Sequence, residues 1–385
     1  MRRDVYGPEH EAFRQTMREF IAREVTPSYP EWERAGRVPR SLYLGMGELG
    51  VFGIDVPEVY GGAGEFSPPY ALVIEEESCR AGVILGAWST HTHLVLPYLK
   101  AFATPEQMHR WMPGFMSGEM MTALAMTEPG TGSDVAGIRT SARLSEDGTH
   151  YVVNGAKTFI TGGVQADRIL TVCRTSPATE GDRRGGLTLL FIDTTSEGFS
   201  VSRALDKLGQ HASDTGELSF VDVKVPVGDR VGEEGKAFGY LAINLVQERL
   251  GCAAGAYAQA AAAIGFALEY TRSRQAFGQP IASFQNTKFE LAACSAEVEA
   301  LQAMLDRATR LFETGELDAA DAARLKLFAT EVAGRVVDRC LQLHGGYGYM
   351  NEYPIARLYA DTRVTRIYAG SNEIMKTIIA KSMGL

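Results

Sequence analysis

Two features of this 385-residue chain could do chemistry: a carboxylate set among apolar neighbours, and glycine-broken loops able to lie against a large ligand. The carboxylate is Glu248, in Leu245-Val246-Gln247-Glu248-Arg249-Leu250. At helical spacing it shares a face with Leu241, Asn244, Leu245, Cys252 and Gly255, an apolar stripe beside small residues with room for a ligand. Such a carboxylate should keep its proton to higher pH than usual, which suits a base working near neutrality. The same placement also suits a structural glutamate paired with a cation, and charge pairing is the commoner cause. Arg249 can order such a site but takes no proton, because a guanidinium stays charged. The loops are Leu341-Gln342-Leu343-His344-Gly345-Gly346-Tyr347-Gly348-Tyr349 and Arg366-Ile367-Tyr368-Ala369-Gly370-Ser371-Asn372-Glu373-Ile374. They combine two glycine turns, interleaved aromatics and a polar loop opening into a helix expected over 373–382. That is backbone shaped to approach a planar, phosphate-bearing ligand.

Other motifs divide into the bland and the specific. Gly45-Met46-Gly47-Glu48-Leu49-Gly50 has the spacing of a dinucleotide fingerprint. That fingerprint must leave a strand and open a helix, whereas 42–49 reads as a helix and the extended stretch 51–56 follows the glycines. His91 and His93 lack a carboxylate or cysteine partner at ligand spacing, so no metal site is expected. Met126-Thr127-Glu128-Pro129-Gly130-Thr131-Gly132-Ser133-Asp134 lacks the lysine of a nucleoside-triphosphate loop and could simply join two domains. Lys157-Thr158-Phe159-Ile160-Thr161 is an aromatic and hydroxyl strand of a kind more often found in cores. Arg272-Ser273-Arg274-Gln275-Ala276-Phe277-Gly278, then Phe284-Gln285, offers guanidinium forks that pair well with phosphate.

The elements that must position these residues fall into three blocks. Residues 1–120 read mainly as helices, with Phe13, Met17, Phe20, Ile21 and Val25 at helical spacing and Pro27 and Pro30 ending the segment. Residues 121–230 hold seven short β-rich runs (140–144, 151–153, 158–160, 169–173, 187–192, 199–203 and 217–225), which suggest a small barrel or sandwich. Asp147-Gly148 and Asn154-Gly155 read as hairpin turns within it. Residues 231–385 return to helix over 236–274, 283–314, 318–344 and 373–382, as in an antiparallel four-helix bundle. The fold class is α+β, with an all-α N-terminal domain, a central small β-barrel or sandwich and a C-terminal bundle. A net charge of -9 argues against a nucleic-acid surface. Arg2 and Arg3 are followed by acidic residues and not by an apolar run, so no secretory signal is expected. The apolar stretch 251–268 is mostly alanine and contains Gln259, which fits a buried helix and not a membrane span. Five cysteines without a Cys-x-x-Cys pair fit a reducing cytoplasm.

Taken in order, these motifs resemble the acyl-CoA dehydrogenase family over essentially the whole chain. Lys207-Leu208-Gly209-Gln210-His211-Ala212-Ser213-Asp214-Thr215 is a further shared segment. The resemblance implies the family's three-domain fold, FAD as cofactor and α,β-dehydrogenation of an acyl-CoA thioester. It implies that Met126, Thr127 and Ser133 contact FAD, that Phe159 lies against the flavin and that Thr161 bonds near its reactive nitrogen. Arg274 and Phe277, with Gln285, would reach a neighbouring subunit's FAD diphosphate. Gln342, Gly345, Gly346 and Ser371 would embrace the adenosine and diphosphate. The chain departs from the commonest pattern at Ala369, where most members carry their catalytic glutamate. The long-chain and isovaleryl branches instead take the base from the position of Glu248, with a small residue at 369. The resemblance therefore points to Glu248 as base, with the Ala369 N–H kept as a donor to the thioester carbonyl. Arg249, Tyr368, Ala369 and Gly370 would face the substrate. It also implies a homotetramer and an electron-transfer flavoprotein as acceptor. An oxidase, a dehydrogenase of carrier-protein thioesters and a catalytically silent flavoprotein remain alternatives on the same scaffold.

Overall fold

A computed structural model of the chain describes residues 3–65, 67–177 and 183–385. Met1, Arg2, Phe66 and residues 178–182 lie outside the described residues. The first block is helical: α1 (Pro8–Phe20), α2 (Tyr29–Ala35), α3 (Arg40–Glu48), α4 (Pro68–Ala81), α5 (Leu96–Phe102) and α6 (Pro105–Ser117). A π-helical turn, Ile21–Val25, continues α1, and a second, Thr90–Val95, leads into α5. Pro30 sits in the first turn of α2 and so opens that helix, where a missing N–H costs nothing. Ile84 and Leu85 lie outside regular structure, and the π turn starts at Thr90. Gly45 and Gly47 lie inside α3; a Cβ on Gly47 would sit 2.2 Å from the Ser117 carbonyl oxygen, so that glycine serves helix packing. Val51–Gly53 after it is a 3-10 turn and not extended chain, and no strand precedes the glycines.

The middle block is a mixed sheet of eight strands: β1 (Thr122–Ala125), β2 (Ser141–Leu144), β3 (His150–Thr161), β4 (Arg168–Arg174), β5 (Leu187–Asp193), β6 (Phe199–Ala204), β7 (Thr215–Pro226) and β8 (Arg230–Val231). Their order is β6-β7-β3-β2-β4-β5-β8, with β1 parallel to β4. The two runs expected at 151–153 and 158–160 are one strand. Asn154-Gly155 is no hairpin turn: β3 passes through it with a register shift against β7. The Asn154 side chain exchanges two 2.9 Å hydrogen bonds with Asp222, whose φ is +52°. Gly155, at φ +152°, lets Thr140 approach where a Cβ would collide. Asp147-Gly148 does turn β2 into β3. The middle block is anchored to the first by Gln107, which caps α6 with Thr104 and donates to the carbonyls of Gly228 and Arg230 at 2.9 and 2.7 Å.

The last block holds α7 (Ala237–Ser273), a hairpin of β9 (Gln275–Ala276) and β10 (Gln279–Pro280), then α8 (Gln285–Glu313), α9 (Ala319–Leu343), α10 (Pro354–Thr362) and α11 (Asn372–Ser382). α10 was not legible as a separate helix in the sequence. Alanines such as Ala253, Ala256, Ala260, Ala263 and Ala267 are fully buried along α7, and their small size lets α4, α8 and α9 close on it. α7 is the one described helix long and apolar enough to cross a membrane, but 67% of its apolar window is buried against protein.

Candidate active site

Glu248 lies on α7 with protein on all sides, yet part of its surface stays accessible. No hydrogen bond or ion pair holds its carboxylate among the described residues. The structural ion-pair reading is therefore not what the chain builds. Burial pushes the Glu248 carboxyl up to about 7, against the opposing fields of Arg249 and Lys326.

The turn that carries Ala369 is packed against this part of α7. Ala369 has φ +55° and Gly370 φ +84°, two successive left-handed residues that a side chain at 369 tolerates only under constraint. The constraint is visible. Lys326, fully buried on α9, donates to the Gly370 carbonyl at 3.0 Å and to Asn372 Oδ1 at 2.9 Å. Cys252, one turn past Glu248, reaches the Thr365 carbonyl at 3.7 Å. The Arg249 guanidinium comes 3.9 Å from where a Cβ on Gly370 would stand. The Ala369 N–H has no acceptor among the described residues, so a donor is free beside the carboxylate. Tyr368 lines the same place: burial holds its phenol well above the usual range, with Cys252 and Glu75 adding to it. Ser371 caps α11, accepting from the Ile374 N–H at 3.5 Å, and leaves a helix N-terminus suited to an anion.

A second group comes from the sheet. The Thr158 N–H donates to the Thr127 carbonyl at 2.9 Å, bringing the 126–134 loop against the 157–161 segment. Lys157 braces both. It is fully buried and donates to the Met126 carbonyl and to Glu128, each at 2.9 Å. Glu128 also accepts from the N–H groups of Arg139 and Thr140, each at 2.8 Å. Phe159 has φ +60° and is 69% exposed. A bulky residue held left-handed with its ring in the open is strain kept for a purpose, and it presents a flat apolar face beside Thr161. Ser133 is exposed on the same loop.

Arg274, Phe277 and Gln285 sit elsewhere. Arg274 ends α7, about 39 Å beyond Glu248 at roughly 1.5 Å per residue. There its guanidinium lies over the Tyr347 ring at 5.6 Å, next to Gln342, Gly345 and Gly346. Phe277, at φ +50° and 94% exposed, points away from the protein on the β9–β10 hairpin. One protomer thus shows two separated groups of cofactor candidates. Lys326, Lys157 and Glu128 as braces, and the buried carboxyl of Glu75 against Gly255, were missed in the sequence. A lysine inside a strand or a core helix is a signal that a partner must exist, but not which one. His91 is a buried structural residue, bonded to Thr122 Oγ1 at 2.8 Å and to the Phe115 carbonyl at 3.1 Å. Among the described residues no His, Cys, Asp and Glu cluster could hold a metal.

A helical domain, a mixed sheet with two braced loops and a helical bundle with an unpaired buried carboxylate define a three-domain enzyme scaffold. Models of the acyl-CoA dehydrogenase N-terminal, middle and C-terminal domains match residues 7–119, 123–223 and 236–384. The long-chain specific acyl-CoA dehydrogenase of Rattus norvegicus mitochondria is 39% identical over 99% of this chain and 88% of that protein. The crystal structure of an acyl-CoA dehydrogenase from Geobacillus kaustophilus matches with a TM-score of 0.95 at 42% identity, covering 100% of both chains. That of the Bacillus anthracis enzyme complexed with FAD matches at 0.90 and 32%, covering 98% of this chain and 67% of that one. The chain belongs to the acyl-CoA dehydrogenase family. It is an FAD-dependent oxidoreductase acting on acyl-CoA, and its open Phe159 face and braced Met126–Thr127 edge fit a flavin ring.

Proposed function

We propose that Glu248 is the base that removes the α-proton of the acyl thioester, and that the chain belongs to the branch of the family resembling the long-chain and isovaleryl enzymes. The observation that carries this is the Glu248 carboxylate: largely buried, unpaired, part-ionised near neutrality and packed near the Ala369 turn. The free Ala369 N–H donates to the thioester oxygen and makes the α-proton acidic enough to take. Lys326 holds the turn, and Lys326 and Arg249 lend positive field to the enolate that forms. Bound FAD supplies the acceptor for the hydrogen and electron pair leaving the β-carbon. Met126, Thr127, Ser133, Phe159 and Thr161 hold the flavin end. Ser371 faces the nucleotide end, and Gln342, Gly345 and Gly346, which lie with Arg274, hold the nucleotide end from a second copy.

The 39 Å between Glu248 and Arg274 supports a shared site, in which Arg274, Phe277 and Gln285 serve the cofactor of a second copy. That reading needs at least a dimer; the family resemblance supports a homotetramer, with electrons passing to an electron-transfer flavoprotein in the cytoplasm. Chain length stays open, although alanine at 369 leaves space for long or branched acyl groups.

Glu248→Gln tests the assignment. The variant should bind FAD and acyl-CoA, yet lose anaerobic bleaching of the flavin band by about 10²–10⁴-fold in rate. In the unaltered protein the bleaching rate should rise with pH through about 7, as Glu248 ionises. Bleaching by the variant at near the normal rate would overturn the reading. Oxygen uptake during turnover would indicate an oxidase, and refusal of free CoA thioesters a carrier-protein substrate.

A further inference from the structure

Near the N-terminal end of α7, buried polar atoms of Tyr98, Asn244 and Arg249 lack a formed hydrogen bond among the described residues, beside the unpaired Glu248 carboxylate. The Tyr98 hydroxyl, on a residue 1% exposed, has no hydrogen-bond partner, and neither has Asn244 Nδ2. Asn244 precedes Glu248 by one helical turn on the same face. Tyr98 arrives from α5, directly after the Thr90–Val95 π turn; its phenol faces the Asn244 amide just short of a formed hydrogen bond, and it feels the charge of Glu248. Leaving buried polar atoms unpaired is costly, and native proteins seldom do it without a use.

Tyr98, Asn244 and Glu248 are chemically complementary. A phenol and an amide NH₂ can both donate, while an ionised carboxylate only accepts. Side chains on a helix lean towards its N-terminus, so the Glu248 side chain lies over the turn that carries Asn244. We propose that Tyr98 and Asn244 are positioning residues for Glu248: they donate to its ionised carboxylate in a resting rotamer and release it to the α-carbon when substrate enters. The proposal rests on Glu248 being the base. Tyr98 and Asn244 themselves touch neither the reacting carbons nor the flavin.

The other charged or titratable groups facing Glu248 are Arg249 and Cys252 on α7 and Lys326 on α9. Glu75 on α4 sits two turns further along, against Gly255. Arg249 and Lys326 favour the charged carboxylate as the two donors would, but they remain in every variant considered next. Donors to an ionised carboxylate lower its pKa, and removing them raises it.

The test is the pH profile of anaerobic flavin reduction by one acyl-CoA, measured on FAD-loaded Tyr98→Phe and Asn244→Leu proteins. Each variant should move the acidic limb up by about one pH unit. At high pH, where the base is ionised regardless, both should approach the unaltered rate. A packing defect would instead lower the rate at every pH. Two FAD-loaded variants with an unmoved limb, or a uniform loss across pH, would overturn the proposal. Should only one variant retain FAD, its limb decides. Glu248→Gln separates the two readings: if it still reduces flavin, the base is wrong. If it is inactive and the limbs stay put, only the positioning role fails.

Discussion

Replacing Lys157 by Met should be among the most damaging single changes outside the catalytic turn. The ammonium is fully buried and meets a carboxylate that is itself 8% exposed, with the Met126 carbonyl as its other acceptor. Burial lowers the Lys157 pKa, while Glu128 offsets it, and Glu128 is held below its ordinary value by Lys157 and the N–H groups of Arg139 and Thr140. Methionine matches the lysine stem in length but leaves Glu128 as a buried charge with two backbone donors and no cation. Breaking one side of a buried pair costs about 3–5 kcal/mol. Since the sheet carries this pair, its unfolding midpoint in urea should fall by about 2 M, at a slope of roughly 2 kcal/mol/M for a domain of this size. Flavin release, followed by fluorescence of the freed cofactor, should move with it, because the Met126 carbonyl loses its anchor. The double change Lys157→Met with Glu128→Gln should recover part of the loss, by removing the stranded charge. If the single variant lost less than about 1 kcal/mol, or if the two losses simply added, the brace would not be an ion pair and the argument would fail.

Two further outcomes follow from other buried groups. Glu75 is pushed up from 4.5 to about 7 by burial alone. A carboxyl whose folded pKa lies above its unfolded one stabilises the fold at low pH and loses that contribution as pH rises through the folded value. Glu75→Gln should therefore raise stability at pH 8 by up to about 3 kcal/mol and change little at pH 4; equal effects at both would refute the burial argument. Lys326→Met should untie Gly370 and Asn372 together, lowering the rate of flavin reduction more than the binding of FAD; a greater effect on FAD content would place the lysine's role elsewhere.

The order of blocks was legible because periodicity is a local property. The apolar spacing of residues 13–25, the alternating runs after 140 and the alanine-rich stretch of α7 each declare their element. The turn at 366–374 declared itself by composition, through its glycines and hydroxyls, whereas the segments at 126–134 and 157–161 stood out only through the family resemblance. What misled was also local: Asn154-Gly155 has the sequence of a hairpin turn, and only the cross-strand bonds to Asp222 make it a bulge inside β3. The same holds for residues 51–56, where apolar β-branched residues fold into a 3-10 turn under the packing of α3 on α6.

The sequence by itself determined that Glu248 shares a helix face with Asn244, Cys252 and Gly255, since a helix has one geometry. Whether the adjacent Arg249 or the distant Lys326 would claim that carboxylate was not readable from the sequence, and tertiary packing decided it. Lys326 is the natural candidate partner by charge, and the fold spends it on Gly370 and Asn372 instead. The left-handed Ala369, the open ring of Phe159 and the unpaired hydroxyl of Tyr98 belong to the same class of fact. Each depends on which surfaces meet when three domains close, and backbone preference alone would have disfavoured the first two.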